Sequence, residues 1–182
     1  PDLFIGQNVE SYTRGVLPKP YYNSNDGLSS YLLINRGRLK FREFTKGTGL
    51  SAKSNRRNRA ASIADLDGDG RQDLLMTSNF SGVDVFSSSD SILLGDVSKE
   101  WLKSPQMFGT SQLIADFDRD GFLDIFAGGV GSEVGRRMSA MGSHREGFAE
   151  SEAMRPIVAR GSRLWRGGDN GFSLYDDEGV FA

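Results

Sequence analysis

Apolar positions along this chain fall in short runs rather than in helical stripes. Two pairs of runs stand out: Ile63-Ala64 with Leu74-Leu75-Met76, and Leu113-Ile114-Ala115 with Ile125-Phe126-Ala127. Within each pair a stretch rich in Asp and Gly separates the runs. Runs this short, apolar on both faces and joined by a Gly-containing turn, read as the buried strands of a β-hairpin. Further strands are expected at Tyr31–Asn35 and 39–44, at 83–86 and 92–94, and at 163–165 and 172–175. Helical periodicity is weak, and its best candidates are 98–103 and 145–154.

The pattern repeats. Residues 60–78 (AASIADLDGDGRQDLLMTS) align without gaps on residues 111–129 (SQLIADFDRDGFLDIFAGG). The opening PDLFIG matches the end of these units and places Asp2 on Asp73 and Asp124. Residues 1–182 then form part of one domain, with approximate units 1–59, 60–110 and 111–182. Four short strands per unit is the rhythm of a β-propeller blade.

The loop inside each hairpin reads D-x-D-x-D-G-x-x-D: Asp65, Asp67, Asp69, Gly70 and Asp73, then Asp116, Asp118, Asp120, Gly121 and Asp124. Calcium takes six to eight hard oxygen ligands, and alternate residues of a tightly curled loop can aim carboxylates at one centre. Glycine at the sixth position permits the sharp turn. The seventh position offers its carbonyl (Arg71, Phe122), and the ninth-position aspartate closes the shell. Unneutralised, carboxylates this close repel. Asp2 is the closing ligand of a third loop, complete only with residues before Pro1. An EF-hand shares D-x-D-x-D-G but needs Glu at position 12 and flanking helices. Position 12 is Met76 or Ala127 and the flanks read as strands, so an EF-hand is excluded.

These loops resemble the FG-GAP/VCBS repeats of integrin-α-type β-propellers. The run NRGRLKFREFTKGTGL (35–50) before RAASIADLDGDG is similar to repeats of proteins related to the cartilage acidic protein group, and 162–181 is similar to another copy of that outer-strand element. The resemblance covers nearly the whole chain. It implies an all-β fold of about three four-stranded blades, with the calcium loop between the first two strands of a blade. Three blades do not close a ring, which takes about 4–8, so an incomplete ring or a segment of a larger propeller is expected. The resemblance also implies an extracellular, cell-surface or bacterial envelope setting and an interaction, adhesion or assembly role rather than an enzyme. Alternatives are a glycan-binding propeller, with Tyr21, Tyr22 or Trp165 as stacking platforms, and the scaffold of a larger secreted enzyme.

Composition narrows the partners. There are 22 Lys+Arg against 24 Asp+Glu, one His and no Cys among 182 residues. Near-neutrality argues against a nucleic-acid binder, and the absence of Cys removes thiolate metal sites and Cys nucleophiles. No apolar run approaches the ~20 residues of a membrane-spanning helix. With two calcium ions bound, the formal charge of −2 becomes +2, which favours acidic protein surfaces or acidic glycans. His144 reads as solvated. The basic run Lys53, Arg56, Arg57 and Arg59 reads as a solvated connector, some of it offsetting nearby carboxylates. The sequence 129–135 is one residue off a dinucleotide fingerprint and lacks a βαβ setting. Asn79-Phe80-Ser81 is an isolated glycosylation sequon. Two long connections, 7–29 (Tyr12, Pro18, Pro20, Tyr21, Tyr22) and 131–161 (Arg136, Arg137, His144, Arg145), are the candidate contact loops, with the remaining blades or a protein partner as occupants.

Overall fold

The computed structural model describes residues 2–8, 20–90, 93–131, 149–159 and 161–175. The fold is mostly β, in three antiparallel sheets that follow one another along the chain. The first has order β1 (Leu3–Ile5), β2 (Tyr31–Asn35) and β3 (Phe41–Glu43). The second is a meander of β4 (Arg57–Ala64), β5 (Asp73–Asn79), β6 (Gly82–Ser87) and β7 (Gly95–Asp96). The third runs β8 (Gly109–Ala115), β9 (Asp124–Gly129), β10 (Arg163–Arg166) and β11 (Ser173–Tyr175). Helix is confined to α1 (Ser98–Trp101), α2 (Ala149–Val158) and 3-10 turns at Thr45–Gly47 and Gly49–Lys53. Among the described residues no helix is long and apolar enough to cross a membrane.

Strand alternation explains how the sheets meet. Side chains of a strand point alternately to opposite faces, and β5 is buried along nearly its whole length. Leu74 and Met76, with Phe86 of β6, pack toward the first sheet in a core shared with Leu32 and Leu50. Leu75, with Val83 and Val85, packs the other way, against Ile125, Ala127 and Trp165 of the third sheet. The aligned residues therefore do the same work one step along: Leu74, Met76 and Phe86 face the first sheet as Ile125, Ala127 and Trp165 face the second. The two outer faces of this row carry exposed apolar groups, Leu3, Ile5 and Tyr31 at one end and Leu113 and Phe117 at the other.

Glycine permits two close approaches. Gly82 sits at φ 91°, where an added Cβ would lie 1.9 Å from the Pro105 carbonyl oxygen. A Cβ on Gly109 would lie 2.5 Å from Thr77 Cγ2, so β8 can press onto the second sheet only without a side chain there.

Several expectations need correction. Among the described residues the first sheet has three strands against the four of a whole unit, PDLFIG matching only a repeat's end. The strand expected at 92–94 lies instead at Gly95–Asp96, because Leu94 turns the chain in the left-handed region at φ 52° and buries its side chain in the core between the first two sheets. The helix expected at 145–154 runs Ala149–Val158 in its described part, extended by the buried Val158, and 98–103 holds only the single turn of α1. Trp165 is wholly buried, its indole N–H donating to the Lys103 carbonyl at 3.0 Å, and offers no stacking face. Tyr21 and Tyr22 are half-buried, with Tyr21 against Phe108. Of the basic run only Arg59 is exposed. Lys53 bridges Asp84 (2.6 Å) and Asp96 (2.8 Å), the buried Arg56 lies 3.2 Å from Asp84, and Arg57 grips Asp26. In the sequon, Ser81 is buried, its hydroxyl donating to the Ser24 carbonyl at 2.6 Å. Tyr12, Pro18, Arg136, Arg137, His144 and Arg145 lie outside the described residues.

Arg57 meets Asp26 as a bidentate fork, Nε to Oδ1 and Nη2 to Oδ2, both at 2.9 Å. The hydrogen bond from Arg57 holds the Asp26 carboxyl below its ordinary value of 3.8, against an opposing effect of burial. A carboxyl depressed in the folded state adds stability above its unfolded pKa and loses it as pH falls through the folded value. The stability gap between wild type and Asp26→Asn is therefore expected to be constant above about pH 5 and to close on acidification below the ordinary carboxylate range. Urea melts of both proteins across this window check it.

Candidate metal centre

Each acidic loop joins two antiparallel strands, β4 to β5 and β8 to β9, in matching register: Ala64 opposite Asp73, and Ala115 opposite Asp124. The loops curl through left-handed residues. The first uses Gly68 (φ 75°) and Gly70 (φ 84°), the second Arg119 (φ 63°) and Gly121 (φ 96°). The carboxylates organise this curl by accepting the loop's own backbone N–H groups, as Asp side chains in turns commonly do. Asp65 accepts from Gly70 at 2.9 Å and Asp116 from Gly121 at 3.0 Å. Asp67 and Asp118 accept from Asp69 and Asp120, and Asp69 and Asp120 accept from Arg71 and Phe122.

The ninth-position aspartates hold the base of each loop. Asp73 is fully buried, one oxygen accepting the Leu66 N–H at 2.9 Å and the other the Ser88 N–H at 3.1 Å. Asp124, equally buried, takes the Phe117 N–H at 2.8 Å and the Gly167 N–H at 2.9 Å. Each carboxylate thus ties the second loop position to the residue that follows the third strand of its sheet. Burial pushes the Asp73 carboxyl above its ordinary value, and the two backbone donors only partly offset this.

Oxygen atoms converge in both loops. In the first, Asp65, Asp67 and Asp73 each bring an oxygen within 4.8 Å of the others, and in the second Asp116, Asp118 and Asp120 do so. The candidate ligand set is thereby split. Asp69 stands outside the first group because Arg71 takes its carboxylate, with Nη1 to Oδ2 at 2.9 Å. Arg71 also reaches Asp90. Hydrogen bonds from the Arg71 backbone and side chain hold the Asp69 carboxyl below its ordinary value. Asp124 stands outside the second group, although its counterpart Asp73, held by the same pair of backbone donors, belongs to the first. Phe122 is exposed, and Asp2, which belongs to neither group, accepts the Asn35 N–H at 2.8 Å. Sequence reasoning missed Arg166, which reaches Asp118 and lies 3.7 Å from Asp120, and Asp90. The signal for Arg166 was its place at the end of β10, a strand that pairs with β9.

The donor set fits a hard divalent cation. All side-chain donors are carboxylate oxygens, the chemistry of calcium and magnesium rather than of softer metals. Asp65 Oδ1 is buried with no hydrogen-bond partner. A buried, unpaired carboxylate oxygen is costly, and a cation among Asp65, Asp67 and Asp73 would satisfy it.

Residues 65–127, spanning both loops, match the family model described as an FG-GAP-like repeat. No curated protein matches the chain.

Asp73 and Asp124 act on the backbone whether or not a metal is present. Asp124→Ala strands two part-buried N–H groups and is expected to cost about 1–2 kcal/mol. Equilibrium urea unfolding in excess chelator measures it.

Proposed function

We propose that this FG-GAP repeat chain is a calcium-stabilised β-propeller segment that works outside the cell as a protein-interaction or assembly module. The observation that carries the reading is the repeated carboxylate cradle, with an unsatisfied buried Asp65 oxygen in the first copy. Asp65, Asp67 and Asp73 would hold one ion, and Asp116, Asp118 and Asp120 the other. Backbone carbonyls of Arg71 and Phe122, and Asp69 and Asp124, are the further oxygen donors that the loop pattern offers. The ion would cancel carboxylate repulsion and hold the hairpin closed, so its binding free energy becomes folding free energy. Exposed loops suit the weak affinities, about 10⁻⁴–10⁻³ M, of extracellular calcium modules. The sheets would be blades: each meander stacks face to face on the next, and apolar faces remain at both ends of the row for neighbours to cover. In the first loop Arg71 competes for Asp69, and in the second Arg166 competes for Asp118. Calcium uptake must therefore displace or re-aim a guanidinium.

Calcium is expected to raise the melting temperature and bind with a stoichiometry of about two per chain, each loop holding one ion. Asp67→Ala and Asp118→Ala should each remove one ion. Calorimetric titration and metal analysis after dialysis read both numbers. An unchanged melt and no retained or titratable metal would sink the calcium reading.

A second reading, glycan binding, is favoured by one cleft. A cavity of about 340 Å³ lies between the two acidic loops, lined by Trp101, Phe122, Phe172, Asp67, Glu100 and Asp169. The rings of Trp101 and Phe172 lie 5.8 Å apart. Aromatic faces beside carboxylates are what sugar recognition uses. If glycans bind here, Trp101→Ala should lose the array signal that wild type shows at a temperature where circular dichroism finds the variant still folded. Wild-type silence on the array discards the reading.

A further inference from the structure

Two carboxylates near the acidic loops belong to neither converging group. Glu100 lies in α1, just after β7, and Asp169 lies in the turn between β10 and β11. Both are exposed, and among the described residues no hydrogen bond or ion pair engages either carboxylate. Together with Asp67 they line the cleft of about 340 Å³ between the acidic loops. No Lys, Arg or His is among the described residues that line it. The lining therefore brings three negative charges and no positive one.

Three rings line the same space: Trp101, Phe122 and Phe172. Trp101 and Phe172 are half-buried and pack on the core between the second and third sheets, their planes inclined by 34°. The rings thus lie deeper than the three carboxylates, which are exposed. The frame around them is built in. The Trp101 N–H donates to the Val97 carbonyl at 2.9 Å, which fixes the ring-bearing turn of α1. Gly171, at φ 87°, closes the turn that carries Asp169 and Phe172, its N–H donating to the Gly168 carbonyl at 2.9 Å.

We propose that this cleft binds a small quaternary ammonium compound of the choline class, its trimethylammonium head on Trp101 and Phe172 and its charge balanced by Glu100 and Asp169. A ring face attracts a cation through its quadrupole, most strongly where the cation sheds its water. Primary ammonium and guanidinium groups carry N–H donors that a ring face leaves unsatisfied at a cost. A quaternary ammonium has no N–H, so its methyl groups can settle on the rings while the outer carboxylates attract its charge. An anionic group beside the head, as in a betaine or phosphocholine, would meet those carboxylates and be rejected. The inference shares its cleft with the glycan reading and competes with it there. It does not rest on the calcium reading, because calcium at Asp67 would spend one of the three charges and leave the other two.

The test titrates the 182-residue chain with choline and with tetramethylammonium, exchanged mole for mole against sodium to hold ionic strength constant. Of the two tryptophans Trp165 is wholly buried, so a saturable change in fluorescence reports Trp101. Saturation is expected in chelator and in calcium, a few-fold weaker in calcium. The neutral isostere of choline, with carbon in place of nitrogen, should bind about tenfold more weakly, and betaine and phosphocholine should also bind more weakly than choline. Glu100→Gln and Asp169→Asn should each weaken choline about threefold with an unchanged circular dichroism spectrum. Phe172→Leu keeps apolar bulk but removes a ring, and should weaken choline about tenfold. Absence of saturation, equal binding of the neutral isostere, or indifference of choline to the combined Glu100→Gln and Asp169→Asn variant overturns the proposal. So does a glycan that binds through Trp101 and that choline fails to displace. Loss of choline binding in the combined variant with calcium still retained supports the proposal and separates it from the metal reading.

Discussion

Burial of β5 on both faces is the constraint from which the rest of the architecture follows. A strand that presents Leu74 and Met76 to one side and Leu75 to the other cannot sit on the surface of a two-layer fold. It requires a sheet in front and a sheet behind. At about 25 cal/mol per Å² of apolar surface removed from water, these opposed faces are the dominant favourable contribution. They also set direction: each sheet offers Leu-Met-Phe or Ile-Ala-Trp backward and receives its successor on the other face. Hydrogen bonding within the sheets fixes register, and packing between them fixes order. Trp165 lies wholly buried at the junction of the second and third sheets.

Electrostatics acts on top of this frame and is local. The acidic loops lie at the strand ends, beyond the apolar layers, and their carboxylates first satisfy the loop's own N–H groups. What remains unbalanced is taken up by arginine: Arg71 in the first loop, Arg166 in the second. The two loops solve the same problem differently. Arg71 belongs to the loop itself, whereas Arg166 arrives from the third strand of its sheet. Elsewhere, Lys53 and Arg56 converge on the buried Asp84 beneath the outer edge of the second sheet. A buried pair like this is weak evidence for added stability, since desolvation consumes much of the attraction. Its visible role is to fix the 3-10 segment Gly49–Lys53 against β6 and β7.

Much of this was legible in the sequence, for reasons that can be stated residue by residue. The gapless match of 60–78 with 111–129 located both hairpins because buried strands and their connecting loop must keep register together. Tyr31–Asn35 was readable as a strand because it is a compact apolar run ahead of a Gly turn. The misplaced β7 was not readable, since nothing local signals that Leu94 adopts φ 52°. The fate of Trp165 was hidden as well, since an aromatic residue between two arginines looks exposed until β10 is seen paired to β9 inside a stack. The pairing of Asp69 with Arg71 and of Asp118 with Arg166 was hidden, since the loop pattern presents position 7 only as a backbone carbonyl and Arg166 reaches its loop through pairing across the sheet. The three strands described in the first sheet were legible as well, because PDLFIG aligns with a repeat ending only.

The meander order has a kinetic consequence. Each sheet is assembled from strands consecutive in the chain, and the second is complete at Asp96 before the third begins at Gly109. Loop closure within the second sheet is therefore short-range, and short-range contacts form early and fast. During synthesis, the second sheet can close its ladder while the third is still emerging, leaving only Leu75, Val83 and Val85 waiting for a cover. The chain is thus suited to vectorial folding. Its most aggregation-prone moment is the interval between completion of β7 and docking of β9, when one finished sheet shows a bare apolar face.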